Sequence, residues 1–360
     1  MNTLATHHEK YHDDHSRSLV LACELSERVM TAAYYDLSLS RMTARSVAIV
    51  EGLTAEEAAT ELSKFIFMTM REYGISAQCL QKIGICAPIG ISGAIEEQLD
   101  PTDIFLRPDT EIIVIPFVSA RADGRTAAFF ASVPFEEGTL AVRLAKSLDL
   151  AYFVDGKLCI VSLPLVGAFD SSALESGMPC EYGAIDEVTR EDNGTVCYSV
   201  IGDCDSEGIA ASAAVDVVRI MRDTGILDED GIMTDRDRFY IGEDYCVSQK
   251  DVRAVQSDKA SLAAALECML KSYGAPKRLY LSGEVLASKG MQSLTDLGVF
   301  PDGIAQNAVF SRNASESGVL SCLEDTQKLD ALERLIFSAE DVTDDILPDF
   351  DDIYISKLQF

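Results

Sequence analysis

Three histidines near the N-terminus have a spacing that could bind a metal ion. His8, His12 and His15 would lie on one face of a helix, and imidazole is a common ligand of transition metals. Neighbouring aspartates could add oxygen ligands. The alternative is that residues 1–17 form a mobile, His-rich polar arm that binds no metal. Both interpretations stay open here, and the mobile arm is our working prediction.

The rest of the sequence excludes several kinds of catalysis. Residues 16–360 contain no histidine, so neither a Ser-His-Asp nor a Cys-His site can form there. The ten cysteines include no C-x-x-C pair and no iron–sulfur spacing, and they are scattered among apolar residues. We expect most of them to be buried, reduced thiols in a cytoplasmic protein. Neither a signal peptide nor a membrane-spanning run is evident.

The formal net charge of −29 makes the chain strongly acidic. Such a chain repels nucleic acids and anionic lipids, so we expect neither a nucleic-acid partner nor a membrane partner. ATP is also repelled unless local donors or cations hold its phosphates. The acidity favours solubility, or a protein partner with a basic surface.

Periodic patterns along the chain indicate strands and helices arranged in two similar lobes. We predict an N-terminal lobe over residues 18–138 and a C-terminal lobe over residues 139–337, because the chain is too long for one ordinary core. Residues 338–360 are predicted to be an acidic tail. Residues 339–352 carry seven acids and no base, which indicates a solvated segment that residues 353–360 anchor loosely.

A long amphipathic helix is predicted after Ser248. Ser248 is a helix-capping residue type, Asp251 suits the positive end of a helix, and apolar residues recur at helical spacing as far as Leu270. The sequence VSQKDVRAVQSDKASLAAAL strongly resembles the TQKDIRELQLAKAAI helix of the ATP-dependent reductive activators of corrinoid proteins. Those activators belong to the sugar kinase, chaperone and actin ATPase superfamily.

Further segments resemble the same family in the same order. Residues 167–188 match the pattern PAFEGA-I-x-x-GM-x-A-x-x-GAI, residues 200–233 match VIG…GICGSGLID…GIID, and residues 311–323 match GNAA-x-x-GA. More weakly, residues 20–37 match AVDIGTTTVVAYLVDL. The resemblance covers residues 18–325. It implies an α/β fold of two actin-like, ribonuclease H-like lobes with an interlobe cleft, and it implies a homodimer.

The segments that bind nucleotide in that family depart from its pattern here. The first phosphate hairpin, DIGTTT, reads ELSERV at residues 24–29, and the second, DIGTNGE, reads RLAKSLD at residues 143–149. In the adenosine segments, GICGSG reads GIAASA at residues 208–213 and AGGFG reads SGEVL at residues 282–286. Larger or acidic residues thus replace groups that should approach the nucleotide closely. We therefore expect no cofactor and no catalytic residue.

Three functional hypotheses follow from these observations. The first is a non-catalytic pseudo-ATPase that binds or regulates a corrinoid protein, a methyltransferase or a true activator. The second is a divergent ATP-dependent reductive activator of a corrinoid methyltransferase system, which would use ATP with Mg²⁺ and external electrons because the sequence shows no iron–sulfur motif. The third reuses the interlobe cleft for a small ligand or a metal. We favour the first.

The second hypothesis assigns roles to particular residues through the resemblance. Glu24, Glu27 and Asp149 would hold Mg²⁺ and orient the attacking water. If nucleotide binding is retained, its expected ligands are Ser26, Arg143, Lys146, Ser147, Gly208, Ser212, Gly283 and Asn313.

Overall fold

The chain folds into two compact units. The computed structural model describes residues 3–5, 18–50, 52–287, 289–301, 303–304 and 308–360. Unit 1 comprises residues 1–134 and 313–338, and unit 2 comprises residues 135–312 and 339–360. Among the residues just given, no helix is long and apolar enough to cross a membrane.

The secondary structure alternates between strands and helices, as predicted. In chain order the strands are β1 (Thr3–Ala5), β2 (Leu19–Leu25), β3 (Val29–Asp36), β4 (Arg41–Ile49), β5 (Leu80–Cys86), β6 (Glu111–Val114), β7 (Thr139–Leu144), β8 (Ser147–Val154), β9 (Lys157–Pro164), β10 (Ala184–Arg190), β11 (Val196–Val200), β12 (Gly208–Ile209), β13 (Arg238–Ile241), β14 (Tyr245–Ser248), β15 (Arg278–Gly283), β16 (Ala308–Phe310) and β17 (Glu340–Asp341). The helices are α1 (Ala55–Tyr73), α2 (Ile89–Gln98), α3 (Gly124–Ala131), α4 (Ala211–Asp223), α5 (Gln249–Tyr273), α6 (Gly290–Asp296), α7 (Ala314–Glu324), α8 (Thr326–Phe337) and α9 (Thr343–Lys357), with 3-10 helices at Pro101–Ile104 and Glu284–Leu286.

Unit 1 is built on a six-stranded sheet in the order β1-β4-β3-β2-β5-β6. Strands β2, β3 and β4 are antiparallel, whereas β5 and β6 continue the sheet in parallel after helical crossovers. Helix α1 contributes Leu62, Phe65 and Ile66 to the core, where each is fully buried. Burial of side chains of this size stabilises a fold by about 1.5–3 kcal/mol each.

Unit 2 repeats this arrangement with different residues. Its main sheet has the order β16-β15-β7-β8-β9-β17, in which β7, β8 and β9 are antiparallel and β15 and β16 are parallel additions. The five strands β9-β8-β7-β15-β16 therefore correspond in order to β4-β3-β2-β5-β6 of unit 1. Buried residues of α4 and α5 fill the core of unit 2. The predicted α/β class with two similar lobes is confirmed.

The predicted boundary at residue 337 differs from the division that the structure shows. Residues 313–338, which carry α7 and α8, fold with unit 1 rather than with the second lobe. The reason is close packing of α7 on α3: a Cβ at Gly318 would lie 1.6 Å from the Ala128 carbonyl oxygen. In addition, Arg45 on β4 and Glu316 on α7 form an ion pair with a Nε–Oε2 distance of 2.9 Å.

Residues 339–360 are not the loosely anchored, solvated tail that their acidity predicts. Strand β17 extends the sheet of unit 2 by pairing with β9, and α9 packs against α5. Ile346 and Ile353 on α9 are buried, so the apolar face of this helix packs on unit 2 although the segment is rich in acids.

The predicted mobile arm also differs in part, because residues 3–5 pair with β4 as β1. The three predicted metal-binding histidines lie outside the described residues.

Candidate functional site

The first predicted phosphate hairpin joins β2 and β3 in unit 1, and Ser26 closes its turn. The Ser26 N–H donates to the Val29 carbonyl oxygen at 2.8 Å. The Ser26 hydroxyl accepts the N–H groups of Arg28 and Val29 at 3.2 and 2.9 Å, and it donates to the Val29 carbonyl at 3.2 Å. Backbone N–H groups of a turn can bind phosphate by donating hydrogen bonds to its oxygens. In this turn, two of them are already bonded to a side chain.

A buried arginine supplies positive charge to the same hairpin. Arg125 on α3 is 7% exposed, and its Nε and Nη2 atoms donate to Asp123 Oδ2 at 2.9 and 2.6 Å. Burial alone would lower the pKa of Arg125, but the charges of Asp123, Glu24 and Glu27 raise this pKa above its ordinary value. The two hairpin acids predicted to hold Mg²⁺ therefore lie in the field of a permanent protein cation.

The second predicted hairpin joins β7 and β8 in unit 2, and its acid is enclosed by neighbours. Arg143 and Asp149 are register partners on the two strands, and Arg143 Nη1 lies 3.3 Å from Asp149 Oδ2. The Ser147 hydroxyl donates to the same oxygen at 3.0 Å. The Ser162 hydroxyl on β9 donates to Asp149 Oδ1. Asp149 is fully buried and Arg143 is 4% exposed, so this is an internal polar network.

Lys146 lies at the tip of the second hairpin, and its residue is exposed. Its carbonyl oxygen accepts the Leu165 N–H at 3.0 Å, which fixes the tip to the segment that follows β9. Of the second-hairpin residues predicted to meet a nucleotide, Arg143 and Ser147 are bonded to Asp149, and Lys146 is exposed.

The small residues of the predicted adenosine segments serve close packing, and Gly283 lies against the second hairpin. Gly283 has φ of +144°, and a Cβ there would lie 2.4 Å from the Leu144 carbonyl oxygen on β7. A Cβ at Gly208 would lie 2.9 Å from Met178 Cγ. The hydroxyl of Ser212, in the first turn of α4, donates to the Asp186 carbonyl oxygen at 2.7 Å. Protein atoms therefore fill the space that these residues leave.

Glu284 stands where the resembled pattern has glycine, and it is half-buried in unit 2. Its Oε2 atom accepts the Cys180 N–H at 3.2 Å. Burial raises the pKa of Glu284 to about 7; Glu181 and Asp170 act in the same direction, and Arg312 opposes them. Near neutral pH, this segment therefore carries a carboxyl group that is only partly ionised. A carboxylate here would repel nucleotide phosphate.

Two further predictions concern Asn313 and the cysteines. Asn313 precedes α7, makes no side-chain cap to that helix and is exposed. The ten cysteines are free, and eight of them are buried, as predicted. Over the part of the chain that the structure describes, no group of three or more His, Cys, Asp or Glu side chains is arranged to hold a metal ion.

The helix that carries the strongest resemblance has a structural role in unit 2. Ser248 and Asp251 form a capping box at the start of α5, which confirms the predicted cap. Gln249 bonds to the backbone of Gly231 and Met233 through its amide. Further along the helix, Lys259 donates to the Gln359 carbonyl oxygen at 2.5 Å. The polar residues of the motif thus hold neighbouring segments together.

Asp258 is an important residue that the sequence patterns missed. Its buried carboxylate accepts four consecutive backbone N–H groups, from residues 166–169, at 2.6–3.3 Å. Asp251 binds the Glu175 N–H at 2.9 Å in a similar way. The helix and the 167–188 segment, which both resemble the family, are therefore joined to each other. Asp251 and Asp258 are seven residues apart on one helix, and this spacing was the feature of the sequence that could have indicated their shared role.

Arg125 was also missed. The available signal was the Asp-Gly-Arg sequence before a predicted helix, because Asp123 caps α3 by accepting the N–H groups of Arg125 and Thr126 at 2.9 and 3.2 Å. A capping aspartate brings the third residue of such a sequence within reach of its own carboxylate.

Fold and segments together define an actin-like, ATPase-type chain. The profile described as the C-terminal domain of RACo, the ASKHA domain, matches residues 154–360, more than half of the chain, and the chain belongs to this family. The predicted resemblance to reductive activators is confirmed.

Two relatives illustrate the family. The corrinoid activation enzyme RamQ of Eubacterium limosum is 25% identical over 201 residues, which cover 48% of this chain and 34% of that protein. This chain thus spans about a third of the length of that relative. A solved structure, the reductive activator for corrinoid, iron-sulfur protein, superposes with a TM-score of 0.81 at 15% identity and covers 97% of this chain and 67% of that one. At this identity the likeness establishes the fold.

Proposed function

We propose that this protein is a non-catalytic pseudo-ATPase of the corrinoid activator family that binds or regulates a corrinoid protein, a methyltransferase or a true activator. Its family membership and its relation to a corrinoid activation enzyme support the corrinoid part of this proposal. The state of the nucleotide segments supports the non-catalytic part.

The network around Asp149 is the observation that carries the proposal. A carboxylate that serves Mg²⁺ must offer an oxygen to the ion. Asp149 instead has one oxygen bonded to Arg143 and Ser147, and the other bonded to Ser162. Removing Asp149 from this network would leave the buried Arg143 without its partner, which is costly. The second hairpin therefore fits a structural role better than it fits a magnesium-bound nucleotide.

The first hairpin supports the same conclusion independently. Ser26 occupies the N–H groups of its turn, and Arg125 provides the positive charge that Glu24 and Glu27 would otherwise share with Mg²⁺. Glu284 adds an acidic group at a position of close nucleotide approach in the resembled pattern. These changes lie in separate segments, so no single substitution would restore all of them.

Calorimetric titration of the full chain with ATP and ADP, in the presence of Mg²⁺, tests this proposal. We expect no binding heat at millimolar nucleotide, because the donors and acids are engaged within their own units. Two matched variants sharpen the result: Lys146→Ala removes the cation at the hairpin tip, and Lys250→Ala removes an exposed lysine on α5. Micromolar binding that is lost in Lys146→Ala but kept in Lys250→Ala would overturn the proposal.

A divergent ATPase is the second candidate, and exposed Lys146 is the observation that favours it, since a lysine at a hairpin tip can hold phosphate as a point charge. ATP with Mg²⁺ would then be the cofactor. The homodimer, the cytoplasmic location and the reuse of a cleft for a small ligand or metal stay predictions.

A further inference from the structure

A surface groove lies in unit 1, away from both predicted phosphate hairpins in sequence. It has a volume of about 370 Å³ and runs between α1, the end of α2 and the 3-10 helix Pro101–Ile104. Its lining includes Ser63, Lys64, Phe67, Gln98, Asp103 and Phe105. We call it the α1–α2 groove.

Two aromatic side chains form one wall of the α1–α2 groove and remain accessible to water. Phe67 and Phe105 are 42% and 74% exposed, and their ring centroids lie 5.5 Å apart. Met68, the next residue on α1, is 45% exposed. Single exposed apolar residues are common on protein surfaces, but adjacent rings beside a concave surface are typical of a binding site.

The backbone holds Phe105 outward at a conformational cost. Its φ is +60°, in the left-handed region that bulky side chains rarely adopt. The flanking residues Ile104 and Leu106 are buried, and the Leu106 N–H donates to the Pro101 carbonyl at 3.0 Å. Asp100 caps the preceding 3-10 helix by accepting the Thr102 N–H at 2.7 Å. Because both neighbours point inward, the ring of Phe105 is presented to solvent by a firmly held turn.

The charge around the groove selects the kind of partner. Residues 89–105 contain four acids, Glu96, Glu97, Asp100 and Asp103, and no lysine or arginine. All four acids are exposed. On the α1 side, the lining residue Lys64 lies 2.6 Å from Glu61, so these two residues together add no net charge. Of these acids Asp103 lines the groove itself, so the segments beside the aromatic wall carry a net negative charge, and their complement is an apolar side chain flanked by basic ones.

We propose that the α1–α2 groove binds a protein segment in which a bulky apolar side chain lies between lysines or arginines. The apolar side chain would pack against Phe67 and Phe105, and the basic side chains would pair with the acids of residues 96–103. The inference goes beyond the proposed function by giving the partner a surface and a chemistry. The inference rests on the proposed function in one respect, which is that both expect a protein partner.

Selection from a displayed library of random peptides of about 16 residues, with the full chain as bait, tests this inference. We expect the enriched peptides to combine aromatic or aliphatic residues with lysine or arginine. Their affinity should fall by about tenfold in Phe105→Ala and several-fold in Asp103→Lys, and the second effect should shrink at high salt. Phe337→Ala is the matched control, because Phe337 is 94% exposed on α8 of the same unit.

A second variant guards against a folding defect. Phe105→Gly removes the ring but suits a φ of +60°, so its thermal stability should equal or exceed that of the wild type. It should bind the peptides as weakly as Phe105→Ala does. Equal peptide binding by the wild type and both variants, enrichment of peptides without basic residues, or no enrichment over an empty support would overturn the inference.

Sedimentation of the same samples distinguishes a second copy of this chain as the occupant. A concentration-dependent dimer of the wild type that Phe105→Gly abolishes would overturn the partner inference in favour of self-association. The calorimetric test of nucleotide binding does not involve the α1–α2 groove. Failure of the proposed function and failure of this inference are therefore separate results.

Discussion

Glu284 shows how one residue can change the chemistry of a segment whose backbone is retained. Gly283 before it still makes the close approach to β7, but Glu284 introduces a carboxyl group beside Cys180. Because the pKa of this carboxyl is about 7 rather than its usual 4.5, the folded protein binds the proton more tightly than the unfolded chain does. The protonated carboxyl is therefore the form that suits the fold.

This shift makes a prediction about pH. The stabilising contribution of the Glu284 proton is fully present below pH 4.5 and is lost as pH rises through 7. Between pH 5 and pH 8.5, the free energy of unfolding of the wild type should fall by about 2 kcal/mol more than that of Glu284→Gln. Urea titrations at the two pH values measure this difference. Asp216, whose pKa burial raises to about 6, contributes equally to both proteins.

The exposed Glu243 provides the control for this measurement. Glu243→Gln removes an acidic residue from an exposed position of the same unit, so an effect that comes only from the loss of one charge would appear in both variants. An identical pH dependence in the wild type and in Glu284→Gln would show that Glu284 titrates normally.

At the scale of elements, α5 organises unit 2 by binding segments from both of its sides. Asp258 holds residues 166–169, and Gln256 and Lys259 hold the carbonyl oxygens of Leu358 and Gln359. The ring of Phe360 lies under Lys259, with the ammonium nitrogen 4.7 Å from the ring centroid. The residues after α9 therefore belong to the core contacts of this helix.

Two glycines with nearly the same backbone angle test this arrangement. Gly231 has φ of +75°, and a Cβ there would lie 2.8 Å from the Phe360 ring; Gly225 has φ of +72° and open space around it. We expect Gly225→Ala to cost about 1 kcal/mol of unfolding free energy from backbone strain alone. Gly231→Ala should cost about 1–3 kcal/mol more, because Phe360 must also move.

Urea unfolding of both variants measures the difference. The comparison removes the backbone contribution, since both alanines would adopt the same left-handed conformation. Equal destabilisation by the two substitutions would mean that the Phe360 ring moves away from the added methyl group at no cost.

For the whole molecule, the net charge of −29 is the dominant electrostatic property. Like charges across a compact structure repel each other, and salt screens this repulsion. Raising NaCl from about 10 mM to about 150 mM shortens the Debye length from about 30 Å to about 8 Å. We expect the free energy of unfolding to rise by about 1 kcal/mol over this range.

KCl should have the same effect as NaCl, because screening depends on ionic strength and not on the identity of the cation. A stabilisation that begins only above about 0.5 M salt would instead indicate general exclusion of salt from the protein surface. That result would contradict charge repulsion as the cause.

The class of fold, the long capped helix α5 and membership of the reductive activator family were predictable from the order of the residues alone. Periodicity and short motifs are properties of consecutive residues, so they can be read without coordinates. The replaced glycines and aspartates of the nucleotide segments were visible for the same reason. The capping box of Ser248 and Asp251 was likewise predictable, because its partners are three residues apart.

The partners of the buried polar groups, and the places where distant parts of the chain meet, became known only from the folded structure. Asp149 bonds to Ser162 on another strand, and Lys259 bonds to a carbonyl 100 residues away. The acidic segment after residue 338 folds onto unit 2, because apolar residues of α9 find a surface there that its composition does not reveal. Contacts between distant residues depend on how the elements pack, and no local pattern encodes that packing.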